Sequence, residues 1–482
     1  MKALVLVGGY GTRLRPLTLS VPKPLINFCN KSIVEYQIQS LKQAGVDHLI
    51  LAVAYQPSAM MEALSELEKK YDIKITCSRE EEPLGTAGPI RLAKPLLLSP
   101  SPLLVKSSSS STSSSLHVDA ALDSQEGSRE TPPPSSPEGE EREKDTQEGG
   151  GEEEKSNKEH EEKREMKDRC FFVCNSDVIC DFPLKEMLAF HKRKKAEATI
   201  LVTEVEDPSQ YGVVLHEEEE GGEGGGKILR FVEKPQTYVG NCINAGLYIL
   251  NASVIDRIPL SPTSIEKEIF PSLAKKGSLF CYKLKGYWAD IGRPKDFLEG
   301  MSLHLNALRT KQEEEEKQQK KTKSHGEKEK KEEGENPLKT LEVEKKKKHE
   351  DRDEKESFLL SSPRLVEGPQ FIGNVLVDPT AKIGEDCLIG PDVTIDRGVT
   401  IGRGCRLKHT AIMTGVRIDD FSWIQSSILG WQSKIGKWCR IEGLTVVGED
   451  VQIAGECFIN GAFILPHKHL TQSIHEPGAI IM

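Results

Sequence analysis

The sequence predicts an α/β domain on a covered, largely parallel sheet, followed by a parallel β-helix. Three patterns carry that expectation. Strand-like apolar runs alternate with helical patterns through residues 1–106 and 169–311, as in a sheet with helices on its faces. From about Phe371, aliphatic residues recur every six positions, the mark of short strands stacked in coils. Two tracts have almost nothing to bury. The expected division is therefore a domain of 1–106 with 169–311, a disordered Ser/Pro/Glu-rich insert at 107–168, a disordered charged linker at 312–360, and a β-helix domain at 361–482.

The first strand, 3–7, runs straight into a glycine-rich turn. A helix over 32–44 follows, with Ser32 and Glu35 spaced as a capping box, Val34, Ile38 and Leu41 on one face, and Gly45 as its stop. Further strands are expected at 49–54, 170–173, 198–202, 242–250 and 279–283. The insert at 107–168 enters between a helix near 90–98 and the strand CFFVC, so it enlarges a surface connection and leaves the sheet intact. HEEEEGGEGGG at 216–226 reads as a hairpin tip. The linker has Glu/Lys pairs that support a transient helix but no apolar face. In the tail, Val377, Ile383, Ile389, Ile395, Ile401, Leu407 and Met413 form one register. Ile435, Ile441, Val447, Ile453, Ile459 and Leu465 form a second, with the shift expected between Met413 and Ile435. Gly384, Gly390, Gly402 and Gly448 are placed to turn the corners.

The 482 residues carry a net charge of −10, yet acidic residues concentrate in the polar tracts and the remainder is mildly basic. That balance suits small anionic substrates and falls short of a nucleic-acid surface. No apolar run approaches a membrane span, and the N-terminal one is too short for a signal core, so a cytoplasmic protein without nucleic-acid or membrane partners is expected. Eleven cysteines without CxxC pairs read as reduced thiols.

Four groups of residues carry chemistry. In GGYGTRLRPLTLSVPKP, 8–24, Gly8, Gly9 and Gly11 let backbone close on a phosphate, Thr12 offers a hydroxyl, and Arg13 and Lys23 add fixed charge. The string is neither a Walker A loop nor GxGxxG. Asp177 and Asp290 each end a strand; they read either as a converging Mg²⁺ pair or as two turn-capping aspartates. Glu233 and Lys234 in FVEKPQ precede Asn244 in NAG, and an exposed Glu-Lys turn before Pro235 is the alternative reading. LGTAG at 84–88 is a small-residue loop that spacing alone reads as a plain turn. The basic run 191–195 reads as a solvated helix end, and His409, His467 and His469 as corner or surface histidines rather than acyltransfer bases.

The 8–24 string resembles the signature of the sugar-1-phosphate nucleotidyltransferases, the sugar-nucleotide pyrophosphorylases. EEEPLGTAG at 80–88, NSDVICDFP at 175–183, YGVV at 211–214, FVEKPQ at 231–236, NAGLYIL at 244–250, PTSIEKEIFP at 262–271 and WADIGRPKDF at 288–297 follow in family order. With the hexapeptide tail and its closing IIM, the chain is similar to the catalytic, beta-type mannose-1-phosphate guanylyltransferases over essentially everything outside the inserts. It departs at Ser32, where the family often has Pro, and in the inserts themselves.

The resemblance implies a Rossmann-like domain with a mixed, mostly parallel sheet, a left-handed β-helix, and transfer of GMP from GTP to mannose 1-phosphate with Mg²⁺ as cofactor. It implies Arg13, Lys23 and Lys234 as catalytic residues and Asp177 and Asp290 as metal ligands. Leu6, Gly8, Gly9, Gly11, Thr12, Gly85, Thr86, Asn175, Gly212, Glu233 and Asn244 would line the substrates beside them, Gly85 and Thr86 at the purine edge. It further implies a homo-oligomer, a possible heteromer with an alpha-type regulatory subunit, and feedback by GDP-mannose.

Overall fold

The computed structural model describes residues 1–9, 11–54, 58–99, 169–217, 224–329 and 363–482. The insert at 107–168 lies outside the described residues, as does the linker from residue 330 to 360. Apart from a two-residue pair, Asn27–Phe28 with Lys31–Ser32, the strands of the first domain are, in chain order, β1 (Lys2–Val7), β2 (His48–Val53), β3 (Lys74–Arg79), β4 (Cys170–Asn175), β5 (Val178–Cys180) and β6 (Ala198–Glu204). They continue as β7 (Gly212–His216), β8 (Gly225–Glu233), β9 (Cys242–Asn251), β10 (Leu279–Lys283) and β11 (Trp288–Asp290).

Nine of these form one sheet in the order β3-β2-β1-β4-β9-β6-β10-β8-β7, while β5 and β11 pair apart from it. β8 and β9 run against the rest, so the sheet is mixed and mostly parallel. β2 is buried along its whole length and β1 along nearly all of it, which is why their sequences are continuous apolar runs rather than alternating ones. β7 and β8 form the expected hairpin; residues 218–223 at its tip lie outside the described residues.

Helix α1 (Ile33–Gln43) corrects one expectation. Ser32 occupies the N-cap position, but its side chain makes no cap hydrogen bond, and the capping box does not form. The Glu35 carboxylate is buried and accepts from Lys70 Nζ at 2.6 Å and from the Tyr71 hydroxyl at 2.8 Å, so a tertiary pair has taken the group the box needed. The other end is as expected. Gly45, at φ +86°, donates to Lys42 O while Val46 donates to Leu41 O, the two bonds of a Schellman stop.

Helix α2 (Ser58–Tyr71) covers the sheet beside α1, and the last helix, α3 (Pro294–Glu329), extends well beyond residue 311. Its first turns bury Phe297, Leu298, Met301, Leu305 and Leu308. Once that amphipathic base is nucleated, adding each further residue is cheap, and the Glu/Lys-rich stretch continues the helix. No helix among the described residues is long and apolar enough to cross a membrane.

From Val375 onward the chain winds as a parallel β-helix. Strand partners lie 18 residues apart at Val375↔Val393 and Lys382↔Thr400, and 17 apart at Thr400↔Arg417 and Arg406↔Trp423. The seventeen-residue coils explain the register change. It begins before Met413, because Ile412 fills the interior there and Met413 packs against the first domain. It recurs at the far end, where Ile464 rather than Leu465 is buried. Corner glycines are forced by coil spacing: a Cβ on Gly402 would stand 2.7 Å from Asp420 N, and one on Gly448 2.7 Å from Pro466 N.

One outward ladder of the β-helix is apolar as well. Leu376, Ala411, Ile428 and Val446 share a core with Phe28, Met301 and Leu305 of the first domain. Polar contacts frame that seam, with Arg309 Nη2 donating to Gly373 O at 2.9 Å and Asn30 Nδ2 to Ile395 O at 2.9 Å.

Candidate active site

The carboxyl ends of β1 and β4 lie side by side, with Leu6 opposite Asn175 and Ser176 N donating to Leu6 O. This is where open α/β sheets receive ligands. Gly8 and Gly9 leave open space where a Cβ would stand, and Gly9 has φ +83°. Gly11, at φ +61°, has no such room: a Cβ would come 2.7 Å from Thr18 Cγ2, and Thr18 Oγ1 donates to Gly11 O at 2.8 Å. That bond shapes the turn from which Thr12 and Arg13 project into solvent.

Lys23 reaches back across the crevice to place Nζ 2.8 Å from Asp177 Oδ2, with Arg13 Nη2 at 3.8 Å from the same oxygen. The second carboxylate arrives by pairing of β5 with β11, which sets Val178 opposite Asp290. Ile291 N donates to Asp177 O at 3.0 Å, and Gly292 N donates to Asp290 Oδ1 at 3.0 Å. Burial, and then the charge of Asp177, push the Asp290 carboxyl above its ordinary pKa, partly offset by Lys23 and Arg13. Hard oxygen donors, Asp177 in the turn between β4 and β5 and Asp290 at the end of β11, suit Mg²⁺, which takes one or two carboxylates and completes its shell with phosphate oxygens and water. The donor set is open in that sense: no cluster of three or more His, Cys, Asp or Glu side chains fit to hold a metal occurs among the described residues.

A second cluster adjoins the first. Glu233 ends β8, and burial, followed by the charge of Glu266, raises its pKa. Lys234, at φ +45°, anchors its N–H on Tyr211 O at 3.0 Å, while its side chain is 61% exposed with Nζ 3.8 Å from Glu233. Asn244 accepts from Gly246 N at 3.0 Å and donates to the Tyr248 hydroxyl at 2.9 Å. Close approach explains two glycines here. A Cβ on Gly212 would lie 2.8 Å from Glu233 Oε2, and one on Gly246 would lie 2.8 Å from Asn175 Nδ2.

The 84–88 loop is fixed against the segment before Glu266. Gly85, at φ +75°, pairs with Thr263, whose carbonyl would be 2.4 Å from a Cβ at that position, so only glycine fits without displacement. Thr86 Oγ1 donates to Glu266 Oε2 at 2.6 Å and accepts from Ile265 N at 2.9 Å.

Arg13, Lys23, Asp177 and Asp290 therefore form one charged cluster, with Asn175, Gly212, Glu233, Lys234 and Asn244 beside it. Gly85 and Thr86 belong to a separate loop that joins through Glu266. Leu6 takes part through its backbone position, since its side chain is buried. Three residues went unassigned from sequence: Glu266, Tyr211, and Trp288, which donates from Nε1 to Ala245 O at 2.9 Å and meets Tyr211 edge-on at 5.4 Å. Each lies inside a family-like string, but nothing in the spacing says that β11 pairs with β5. His409 and His467 both have positive φ, His467 in a turn of the β-helix and His409 within the strand Arg406–Ile412.

A family profile described as Nucleotidyl transferase matches residues 2–124 and 153–306, and one described as GMPPB C-terminal domain matches 371–480. The chain is 44% identical over 481 residues to Mannose-1-phosphate guanyltransferase beta-B of Xenopus laevis, with 100% of both chains covered. Over the same full coverage it is 41% identical to Mannose-1-phosphate guanylyltransferase 1 of Arabidopsis thaliana. It is 42% identical to the Mannose-1-phosphate guanylyltransferase catalytic subunit beta of Dictyostelium discoideum, again across all of both chains.

Proposed function

The chain belongs to the nucleotidyl transferase family, in its mannose-1-phosphate guanylyltransferase branch, and we propose that it transfers GMP from GTP to mannose 1-phosphate, releasing pyrophosphate and forming GDP-mannose. The observation that carries the reading of the site is the meeting of Lys23 and Arg13 with Asp177, opposite Asp290, at the carboxyl ends of β1 and β4.

In the reaction, an oxygen of the sugar phosphate bonds to the α-phosphorus of GTP, and the bond from that phosphorus to the β-phosphate oxygen breaks as pyrophosphate leaves. The attacking oxygen is already ionised, so no general base is required. Catalysis rests on holding two polyanions in line and stabilising charge at the transferred phosphorus. The open backbone at Gly8 and Gly9 admits phosphates, and Thr12, Arg13 and Lys23 hold the triphosphate. Lys234, exposed and unencumbered by a short ion pair, orients the sugar phosphate, while Glu233 and Asn244 take sugar hydroxyls. Gly85 and Thr86 present the loop edge to the purine. Asp177 and Asp290 would hold Mg²⁺, whose charge, when bound, offsets that of the phosphates.

The eleven cysteines are thiols, in keeping with a cytoplasmic enzyme. We also assign it a homo-oligomeric state, with an alpha-type subunit as a possible further partner. A flank of the β-helix supports that view: Phe421 stacks on Trp438 at 4.5 Å, and the Arg440 guanidinium lies over the Trp423 ring at 4.5 Å, with both tryptophans exposed. Aromatic and arginine side chains of this kind are what protein interfaces favour.

Pyrophosphate release, with each of four NTPs offered against mannose 1-phosphate and glucose 1-phosphate, tests the assignment. Turnover confined to GTP with mannose 1-phosphate is expected. Turnover with a different pair would replace the substrates and keep the chemistry, and silence with all pairs would overturn the catalytic reading.

A further inference from the structure

One fully buried side chain outside the site reaches the turn that carries Asp177. Gln37, in the second turn of α1, has no solvent exposure. Its Nε2 donates to Asn175 O at 2.8 Å and stands 3.5 Å from Val178 O. Those two carbonyls bracket Asp177. Two acceptors converging on one point call for a donor with two hydrogens, which places the amide nitrogen there rather than the oxygen. The oxygen is left buried with no hydrogen-bond partner.

A half-satisfied buried amide is an expensive way to fill a core position, since an apolar side chain of similar size would fill the volume without an orphaned acceptor. The same turn also anchors the opposite carboxylate, because Ile291 N donates to Asp177 O and Val178 pairs with Asp290. We propose that Gln37 is a positioning residue: its amide clamps the 175–178 turn so that Asp177 faces Asp290 at the spacing a divalent cation needs. The metal half of this inference rests on the site reading above. The clamp itself does not.

The test compares full-length wild type with Gln37→Met, which keeps the volume and removes the donor, by hydrogen exchange and by Mn²⁺ binding followed through the EPR signal of free Mn²⁺. Exchange in peptides over 171–180 and 287–293 should quicken while that over β6 stays unchanged. Mn²⁺ affinity should fall about tenfold or more, as when groups behind a metal ligand are removed, with GTP binding in EDTA altered less than twofold. Unchanged exchange at the turn, or equal acceleration across the whole domain, would overturn the clamp. Should Gln37→Met fail to fold, Gln37→Glu keeps the shape, and its protection of the turn should decline as pH rises and the donating proton is lost; pH-independent protection overturns the proposal. A wild type that binds no Mn²⁺ would remove the metal reading, and exchange alone would then decide the clamp.

Discussion

The two halves of this molecule answer different demands with different chemistry. In the β-helix, each residue's neighbours lie 17 or 18 positions away, so every coil repeats the same local problem: an aliphatic inside, a small residue where coils nearly touch. In the first domain, the decisive contacts join segments with no common period, such as Lys23 with Asp177 and Val178 with Asp290. One half is tuned for packing. The other buries one carboxylate beside a second, and the raised pKa of Asp290 records that burial first and the charge of Asp177 after it.

The sharpest way to break this contrast is to remove a site charge and watch the fold. Asp177→Asn should lower kcat by about 10³ or more, since a lost charge contact in a preorganised site is worth several kcal/mol, with the melting temperature held or slightly raised. A fall in stability that matched the loss of rate would mean the carboxylate is structural. Lys234→Ala should lose about 10² in kcat with GTP affinity preserved, because the role proposed for its exposed ammonium is to hold the acceptor phosphate and not the nucleotide. Kinetics at saturating GTP separates this from a nucleotide-binding role. The converse applies to the coils. Gly402→Ala forces a Cβ to within 2.7 Å of the next coil's backbone and should cost about 2 kcal/mol. Denaturation followed by β-helix tryptophan fluorescence would show that loss, with kcat per folded molecule unchanged.

This division also decides what can be read from sequence. Periodicity exposes the β-helix outright, including its corner glycines, because the repeat is the structure. It misplaced Met413 and Leu465 because a six-residue template cannot see that one side of a coil drops a residue. In the first domain, apolar runs located the main strands within a residue or two. The capping box failed because Lys70 and Tyr71, a full helix away, outcompete the helix end for Glu35. The site residues were nameable through strings resembling a family, whereas Glu266, Tyr211, Trp288 and Gln37 matter only through pairings that no spacing announces.

The smallest effect is the most exacting. Because the folded-state pKa of Asp290 is raised, the native state holds this proton more tightly than the unfolded chain does. Stability from this group is therefore greatest at low pH and declines as pH rises from the ordinary carboxylate range through the elevated native value. Above that value the ionised carboxylate is a constant burden. Asp290→Asn should lift the melting temperature modestly at pH 7, and the gain should vanish as pH falls to where Asp290 is protonated even when unfolded. The same variant should be catalytically dead. If the melting temperature instead falls at pH 7, Asp290 is held by Lys23 and Arg13 more strongly than Asp177 and burial oppose it, and the two halves of the molecule would differ less than their charges suggest.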